Sequence, residues 1–336
     1  MSIVQCAVVG AGRLGMIHAQ NIANFIPNAR LKTIVTTREE SGKRAAGQLG
    51  IQNWTTNIQT VLEDQQIDAI IIASPTPSHA ELIKKAIQYK KHIFVDKPMT
   101  STVKEAEELM PLFNGYNKVL QVGFNRRFDE AYRVAAAKIR RGDIGEPLYF
   151  SGISRDPGSP PEEYIATSGG IFVDLCIHDY DIARYLMGAE IETVHSFGKA
   201  LNHPFMDKYN DVDQAITKLE FSNGALGIVE GSRNSSFGYD IRAEVLGTEG
   251  MLQISSIQRS NIVTLSSGSA TTDNILDFPS KFENAFFNEM KAFIDTVVKG
   301  GSSLVTARDA LIASKIAEAA TASFTNKQMM KVGNVE

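Results

Sequence analysis

The pattern that most restricts the fold lies in the first 123 or so residues, where short Val- and Ile-rich runs alternate with amphipathic stretches. Strands are predicted at 3–9, 31–36, 69–73, 92–95 and 119–122, and helices near 14–25, 40–49, 78–89 and 102–113. Continuously apolar strands separated by helices are the mark of a parallel sheet buried on both faces. At the first crossing stands Gly10-Ala11-Gly12-Arg13-Leu14-Gly15. Following a strand and opening a helix, its three glycines permit a tight turn, close approach of backbone to a pyrophosphate and close helix packing, with the phosphates at the helix N-terminus. The same spacing without a ligand would be only a tight strand-to-helix turn.

After a helix near 129–141, Gly145-Glu146-Pro147 closes the segment and the pattern changes. Strands then follow one another at 148–154, 191–199, 213–221, 225–232, 241–246, 251–254 and 262–266, with a Ser/Thr-rich turn around 266–272. Such a run reads as an open, mainly antiparallel sheet. Helices near 282–298 and 306–323 finish the chain. At 336 residues the chain exceeds the usual growth of one core. The expectation is two α/β domains, 1–123 for a dinucleotide and 124–336 for substrate binding and oligomerisation, with the C-terminal helices as candidates to pack back on the first.

A net charge of −4 supplies no basic field for nucleic acid. No apolar run approaches membrane length, and Met1-Ser2-Ile3-Val4 leads into a strand rather than a signal-peptide pattern, so a cytoplasmic protein is expected. Cys6 and Cys176 stand far apart in apolar settings, without the spacing of a metal or redox motif, and read as reduced buried thiols. No metal site is expected.

The second chemical feature is the stretch from Gly169 to Asp181, read as one helix. At about 100° per residue, Asp174, His178, Asp181 and Tyr185 fall within about 60° of arc while nearly every other position is apolar. A helix apolar nearly all round is buried, and buried carboxylates need partners or a task. Lys97, in Val95-Asp96-Lys97-Pro98, follows a parallel strand at the edge where open α/β sheets bind ligands. A cation, an imidazole and a carboxylate are the groups needed to move a proton while a hydride leaves carbon.

Taken together, the glycine loop, Asp96-Lys97-Pro98 and Gly170-x3-Asp174-x3-His178-Asp179 resemble the glucose-fructose oxidoreductase/inositol dehydrogenase/rhizopine catabolism family (Gfo/Idh/MocA), most strongly inositol 2-dehydrogenases of the scyllo-inositol type. The resemblance spans the chain and includes 121–129 and 239–247. It implies a Rossmann domain, a C-terminal α/β domain used for tetramer assembly, and Lys97, Asp174 and His178 as the catalytic set. His178 would take the hydroxyl proton, Lys97 would donate to the reacting oxygen, and Asp174 would accept from a substrate hydroxyl and bias the imidazole. Arg127, Asp156, Asp181 and Tyr239 match substrate positions. An ion pair for Arg127 and a half-buried strand aromatic for Tyr239 are the alternatives. The family motif has Glu where this chain has Asp96.

The expected cofactor set is Gly10, Gly12, Arg13, Leu14, Gly15, Thr36, Thr37, Arg38, Ser74, Pro75 and Lys97. The second strand ends Thr36-Thr37-Arg38 with no acid for a ribose diol, so NADP is admissible beside the NAD that the resemblance implies. Asp156, Asp174, Asp179 and Asp181 repel anions but accept from hydroxyls, which favours a neutral polyol such as an inositol. Arg126, Arg127 and Arg155 weigh against this where they neutralise the acids. An NADP-dependent sugar or ketose reductase and a dinucleotide-sensing regulator remain the alternatives.

Overall fold

The computed structural model describes residues 3–254, 258–260 and 262–333. The chain divides into two compact units, one of residues 1–128 with 284–311 and one of 129–283 with 312–336.

The first unit runs β1 (Val4–Val9), α1 (Arg13–Asn24), β2 (Ala29–Val35), α2 (Glu39–Leu49), β3 (Trp54–Thr55), α3 (Ile58–Glu63), β4 (Ala69–Ile72), α4 (His79–Gln88), β5 (His92–Asp96), α5 (Val103–Leu109) and β6 (Leu120–Gly123). Its sheet has the order β3-β2-β1-β4-β5-β6, and every pairing is parallel. The order reverses at β1, so the turn after β1 opens at a topological switch point, where doubly wound sheets bind ligands. α5 begins at a capping box, Thr102 with Glu105. The helix expected over 102–113 ends as an α-helix at Leu109, and Pro111 lies in the 3-10 turn Met110–Phe113 that follows.

The rest of the chain supplies α6 (Glu130–Arg141), β7 (Pro147–Arg155), α7 (Glu162–Ile165), α8 (Ile171–Asp174), α9 (Ile177–Met187), β8 (Ile191–Lys199), β9 (Gln214–Phe221), β10 (Leu226–Ser232), β11 (Asp240–Gly247), β12 (Met251–Ile254), a hairpin of β13 (Thr264–Ser266) and β14 (Ser269–Thr271), α10 (Phe278–Lys281), α11 (Glu283–Lys299), α12 (Ala307–Asn326) and β15 (Met330–Lys331). The sheet order is β12-β11-β7-β10-β9-β8-β15, antiparallel except for the parallel pair β7/β10. The segment expected as a Ser/Thr-rich turn is a hairpin in which Ser269–Thr271 pairs with Thr264–Ser266. α11 packs within the first unit, where Met290, Phe293 and Ile294 join Cys6, Val8, Ile22, Ile34 and Phe94 in one core.

The stretch from Gly169 to Asp181 is not one helix. α8 ends at Asp174 and α9 starts at Ile177. At the break the Cys176 amide reaches back five residues to the Ile171 carbonyl, 3.0 Å away. Here the chain presses on β10: the Cys176 Sγ lies 2.5 Å from where a Cβ on Gly231 would stand, so only glycine fits opposite. Tertiary packing overrides the helical period at this point.

Candidate active site

In the first unit, the carboxyl ends of β1, β4 and β5 carry the candidate cofactor residues. Gly10 has φ +104°, and a Cβ there would lie 2.4 Å from the Ala73 carbonyl oxygen. A Cβ on Gly15 would lie 2.1 Å from the Gly10 carbonyl oxygen, whereas one on Gly12 would meet nothing within 4 Å among the described residues. Two glycines are therefore imposed by neighbouring backbone, and the third leaves open space at the turn. Gly12 is also the N-cap of α1, with no side-chain cap and no acid in the first turn. Uncapped amides, a favourable helix dipole and open space fit a bound pyrophosphate. Arg13 and Leu14 open this helix.

At the end of β2, Thr36 is buried and its hydroxyl donates to the Arg38 carbonyl at 2.8 Å. Thr37 and Arg38 are exposed, and Arg38 is the N-cap of α2. Glu39 and Glu40 are in the first turn of that helix, and Glu39 pairs with Lys43 at 3.7 Å.

One residue that the sequence did not single out joins two of these loops. His79 is 1% exposed, with Nε2 2.8 Å from the Ser74 carbonyl oxygen and Nδ1 3.0 Å from the Pro98 carbonyl oxygen. It thus ties the Ser74-Pro75 turn to the Lys97-Pro98 turn. Ser74 Oγ lies 2.6 Å from Ser78 Oγ.

The second unit holds Asp174, His178, Asp181, Asp156 and Tyr239. The predicted stripe is not uniformly buried: Asp181 is fully buried, but Asp174 and His178 are half-buried. Asp174 is clamped on both oxygens. Tyr164 donates its hydroxyl to Oδ1 at 2.8 Å, and Arg233 Nη2 lies 3.4 Å from Oδ2. The Tyr164 ring is 47% exposed, yet burial of its hydroxyl and the Asp174 charge push its phenol up, keeping it a donor. Arg233 is fully buried and also faces Asp211 Oδ2 at 4.0 Å, while Asp211 Oδ1 accepts from the Ile171 amide at the start of α8. One buried guanidinium thus anchors the start and end of α8 together. Tyr185, at the far end of the stripe, has the Arg140 guanidinium 5.8 Å from its ring centre.

The remaining candidates lie on or beside the larger sheet or, for Arg126 and Arg127, in the first unit. Asp179 is bound to Ser154 at 2.5 Å against the sheet. Arg155 pairs with Glu230 at 2.8 Å and Asp240 at 3.2 Å, which commits it to the sheet. Arg127 is buried and pairs with Asp309 at 3.1 Å. Arg126 is buried as well. Tyr239 is 8% exposed, with its ring edge toward Phe282 at 6.4 Å. Asp156 follows β7 and is held through its backbone to Ser232 and Ser235 at 2.8 and 3.0 Å. Cys6 and Cys176 are free and buried, and burial pushes the Cys6 thiol up. Among the described residues, no cluster of three metal-ligating side chains occurs, and no helix is long and apolar enough to cross a membrane.

The model of the oxidoreductase-family NAD-binding Rossmann fold matches residues 4–124, and that of the family's C-terminal alpha/beta domain matches 136–332. The chain belongs to the Gfo/Idh/MocA oxidoreductase family. It is 46% identical to scyllo-inositol 2-dehydrogenase (NAD(+)) of Bacillus subtilis over 96% of this chain and 94% of that protein. It is 34% identical to myo-inositol 2-dehydrogenase of Thermotoga maritima over 99% of each. A crystal structure of scyllo-inositol dehydrogenase from Lactobacillus casei with bound NAD(H) and scyllo-inositol superposes with a TM-score of 0.94 at 29% identity, covering 99% of this chain and 100% of that one. As an oxidoreductase with an NAD-binding fold, the protein needs a donor of hydride and a group to manage the accompanying proton.

Proposed function

We propose that this protein is an inositol 2-dehydrogenase that interconverts a secondary hydroxyl of scyllo- or myo-inositol and the 2-ketone, with Lys97, Asp174 and His178 as its catalytic set. The observation that carries the reading is the clamp on Asp174: a carboxylate held by Tyr164 and Arg233 four residues before a half-buried histidine. Held this way, Asp174 is fixed in orientation and keeps lone pairs for a substrate hydroxyl. His178 takes the hydroxyl proton, a role suited to an imidazole near neutral pH. Lys97 stabilises alkoxide character as it develops. A bound nicotinamide would supply the acceptor for the carbinol hydride. Arg127, Asp156, Asp181 and Tyr239 are assigned to the polyol.

The cofactor is proposed to be NAD(H), held by Gly10, Gly12, Arg13, Leu14, Gly15, Ser74 and Pro75. The Bacillus subtilis relative is named for NAD(+), which supports this. A second reading, an NADP-linked sugar reductase, is favoured by one observation: Thr37 and Arg38 are exposed at the end of β2, and the nearest acids in sequence, Glu39 and Glu40, belong to the first turn of α2. The seven-stranded sheet exposes Phe197, Ile216, Leu226, Tyr149, Leu246 and Met251 on one face. This apolar row supports a homotetramer. Two buried free thiols support a reducing, cytoplasmic location.

The deciding experiment is an initial-rate matrix of myo-inositol, scyllo-inositol, D-glucose and D-xylose against NAD and NADP. Turnover of an inositol with NAD is expected, and no turnover of either inositol refutes the reading. Lys97→Ala and His178→Ala should each remove most turnover while leaving dinucleotide binding intact. A near-normal rate in His178→Ala refutes the proton-transfer role. Light scattering on the purified protein tests the tetramer.

A further inference from the structure

Beside Lys97 the first unit contains a buried group of ionisable side chains that the proposed chemistry leaves unused. Asp96 closes β5 and is 6% exposed, and its Oδ1 lies 3.1 Å from Nε2 of His18 on α1. The His18 ring is fully buried, edge-on to Phe94 at 4.9 Å and Phe286 at 6.0 Å. Three residues after Phe286 on α11 comes Glu289, also fully buried and within electrostatic reach of Asp96. Both Glu289 carboxyl oxygens and Asp96 Oδ2 are buried and have no hydrogen-bond partner among the described residues. The nearby Gln121 amide does not serve them: it donates to the Glu289 backbone oxygen at 2.9 Å.

The chemistry of this group is constrained. Glu289 is fully buried, and among the described residues neither of its carboxyl oxygens has a hydrogen-bond partner, so charging it is costly. Asp96 has His18 as its partner through Oδ1. Burial, reinforced by Asp96, pushes the Glu289 carboxyl well up, leaving it a neutral acid with a proton to donate. Asp96 Oδ2 lacks a donor among the described residues, and one ordered water is enough to relay a hydrogen bond between it and the Glu289 carboxyl.

We propose that Glu289 is a positioning residue for Lys97: through an ordered water its carboxyl provides the hydrogen-bond donor that Asp96 Oδ2 lacks, and so locks the residue immediately before Lys97. Glu289, Asp96 and His18 then act as one unit that fixes the backbone from which Lys97 leaves the sheet. The inference rests on the assignment of Lys97 as a catalytic residue.

The test compares the wild-type enzyme with Glu289→Gln, Glu289→Leu and Lys97→Ala. In the infrared spectrum at neutral pH, a carbonyl stretch of a buried protonated carboxyl is expected in the wild type and in Lys97→Ala, and is expected to vanish in Glu289→Gln. Because an amide donates as a neutral acid does, Glu289→Gln should keep kcat within about threefold, while Glu289→Leu should lower it at least tenfold with KM for NAD changed less than about twofold. Absence of the band from the wild type, or a wild-type kcat and pH profile in Glu289→Leu, overturns the proposal. If Glu289→Leu does not fold, the infrared band and the Glu289→Gln rate still decide. Full activity of Lys97→Ala would instead overturn the assignment of Lys97 itself, a result separable from any Glu289 outcome.

Discussion

The glycine loop makes a prediction in which binding and stability separate. Gly12 sits at φ −75° in open space, a conformation any residue adopts. Gly12→Ala loses a little N-cap preference, about 0.5–1 kcal/mol, and recovers about 0.4–1 kcal/mol by restricting the unfolded chain. The free protein should therefore keep its stability within about 1 kcal/mol, a Tm change of no more than about 3 °C. Its new methyl nevertheless occupies the space through which a pyrophosphate reaches the amides of α1, and NADH affinity should fall at least tenfold, about 1.4 kcal/mol. Gly15→Ala behaves differently. Its Cβ would lie 2.1 Å from a backbone oxygen and 2.9 Å from the carbon that bears it, and neither can swing away. A clash of this kind costs about 3 kcal/mol, so the cofactor-free Tm should drop by roughly 6–12 °C. Calorimetry without dinucleotide and fluorescence titration with NADH measure the two effects separately. Wild-type NADH affinity in Gly12→Ala would refute the pyrophosphate site, and an equal Tm loss in both variants would refute the distinction between open and filled glycine positions.

Three further outcomes are expected. Arg233→Met removes the buried cation from Asp174 and Asp211 and should cost about 3 kcal/mol of stability and at least tenfold in kcat. Chemical denaturation and steady-state rates measure this, and unchanged values would show that the clamp is idle. His79→Leu breaks the tie between the Ser74 and Pro98 carbonyls, so KM for the dinucleotide should rise while KM for inositol stays nearly constant. An equal rise in both would argue for general unfolding. Burial, with a smaller effect of Lys118, lowers His92 to about 4, and its Nδ1 accepts from the Val119 amide. With the folded value depressed, stability is complete above the unfolded value near 6.5 and is lost as pH falls toward 4. Allowing for screening at this half-buried site, the loss is about 1–2 kcal/mol. Melting curves of His92→Gln between pH 7 and 4 should be flatter than those of the wild type.

The parallel sheet was legible because strands buried on both faces must be apolar throughout, as Ala69–Ile72 is, and because backbone contact forces glycine at positions 10 and 15. The Asp174/His178 stripe was legible as an anomaly of composition, though not in its geometry. A 3.6-residue period cannot reveal that Cys176 must fit against Gly231, some 55 residues away in sequence, so the break in the helix was invisible. Arg233 and Tyr164 escaped for the same reason. An arginine after a strand and a tyrosine in a short helix are ordinary surface residues until the chain folds Asp174 between them. His79 gave no local sign either, since its role depends on carbonyls belonging to two other turns.

The one parallel pair in the second sheet explains why these residues collect where they do. β7 and β10 run in the same direction, with Arg155 opposite Ser232, so the residues that follow each strand, Asp156 and Arg233, emerge at the same edge. The backbone bonds from Asp156 to Ser232 and from Ser235 to Asp156 sew the two exits together there. An antiparallel pairing would send one of the two to the opposite edge, away from Asp174. The first unit follows the same logic with Gly10, Ser74 and Lys97, each just beyond the carboxyl end of a parallel strand. In both units, then, parallel pairing is what gathers side chains distant in sequence onto one edge, and in the second unit a single such pair within an antiparallel sheet is enough to build the cationic clamp that holds Asp174.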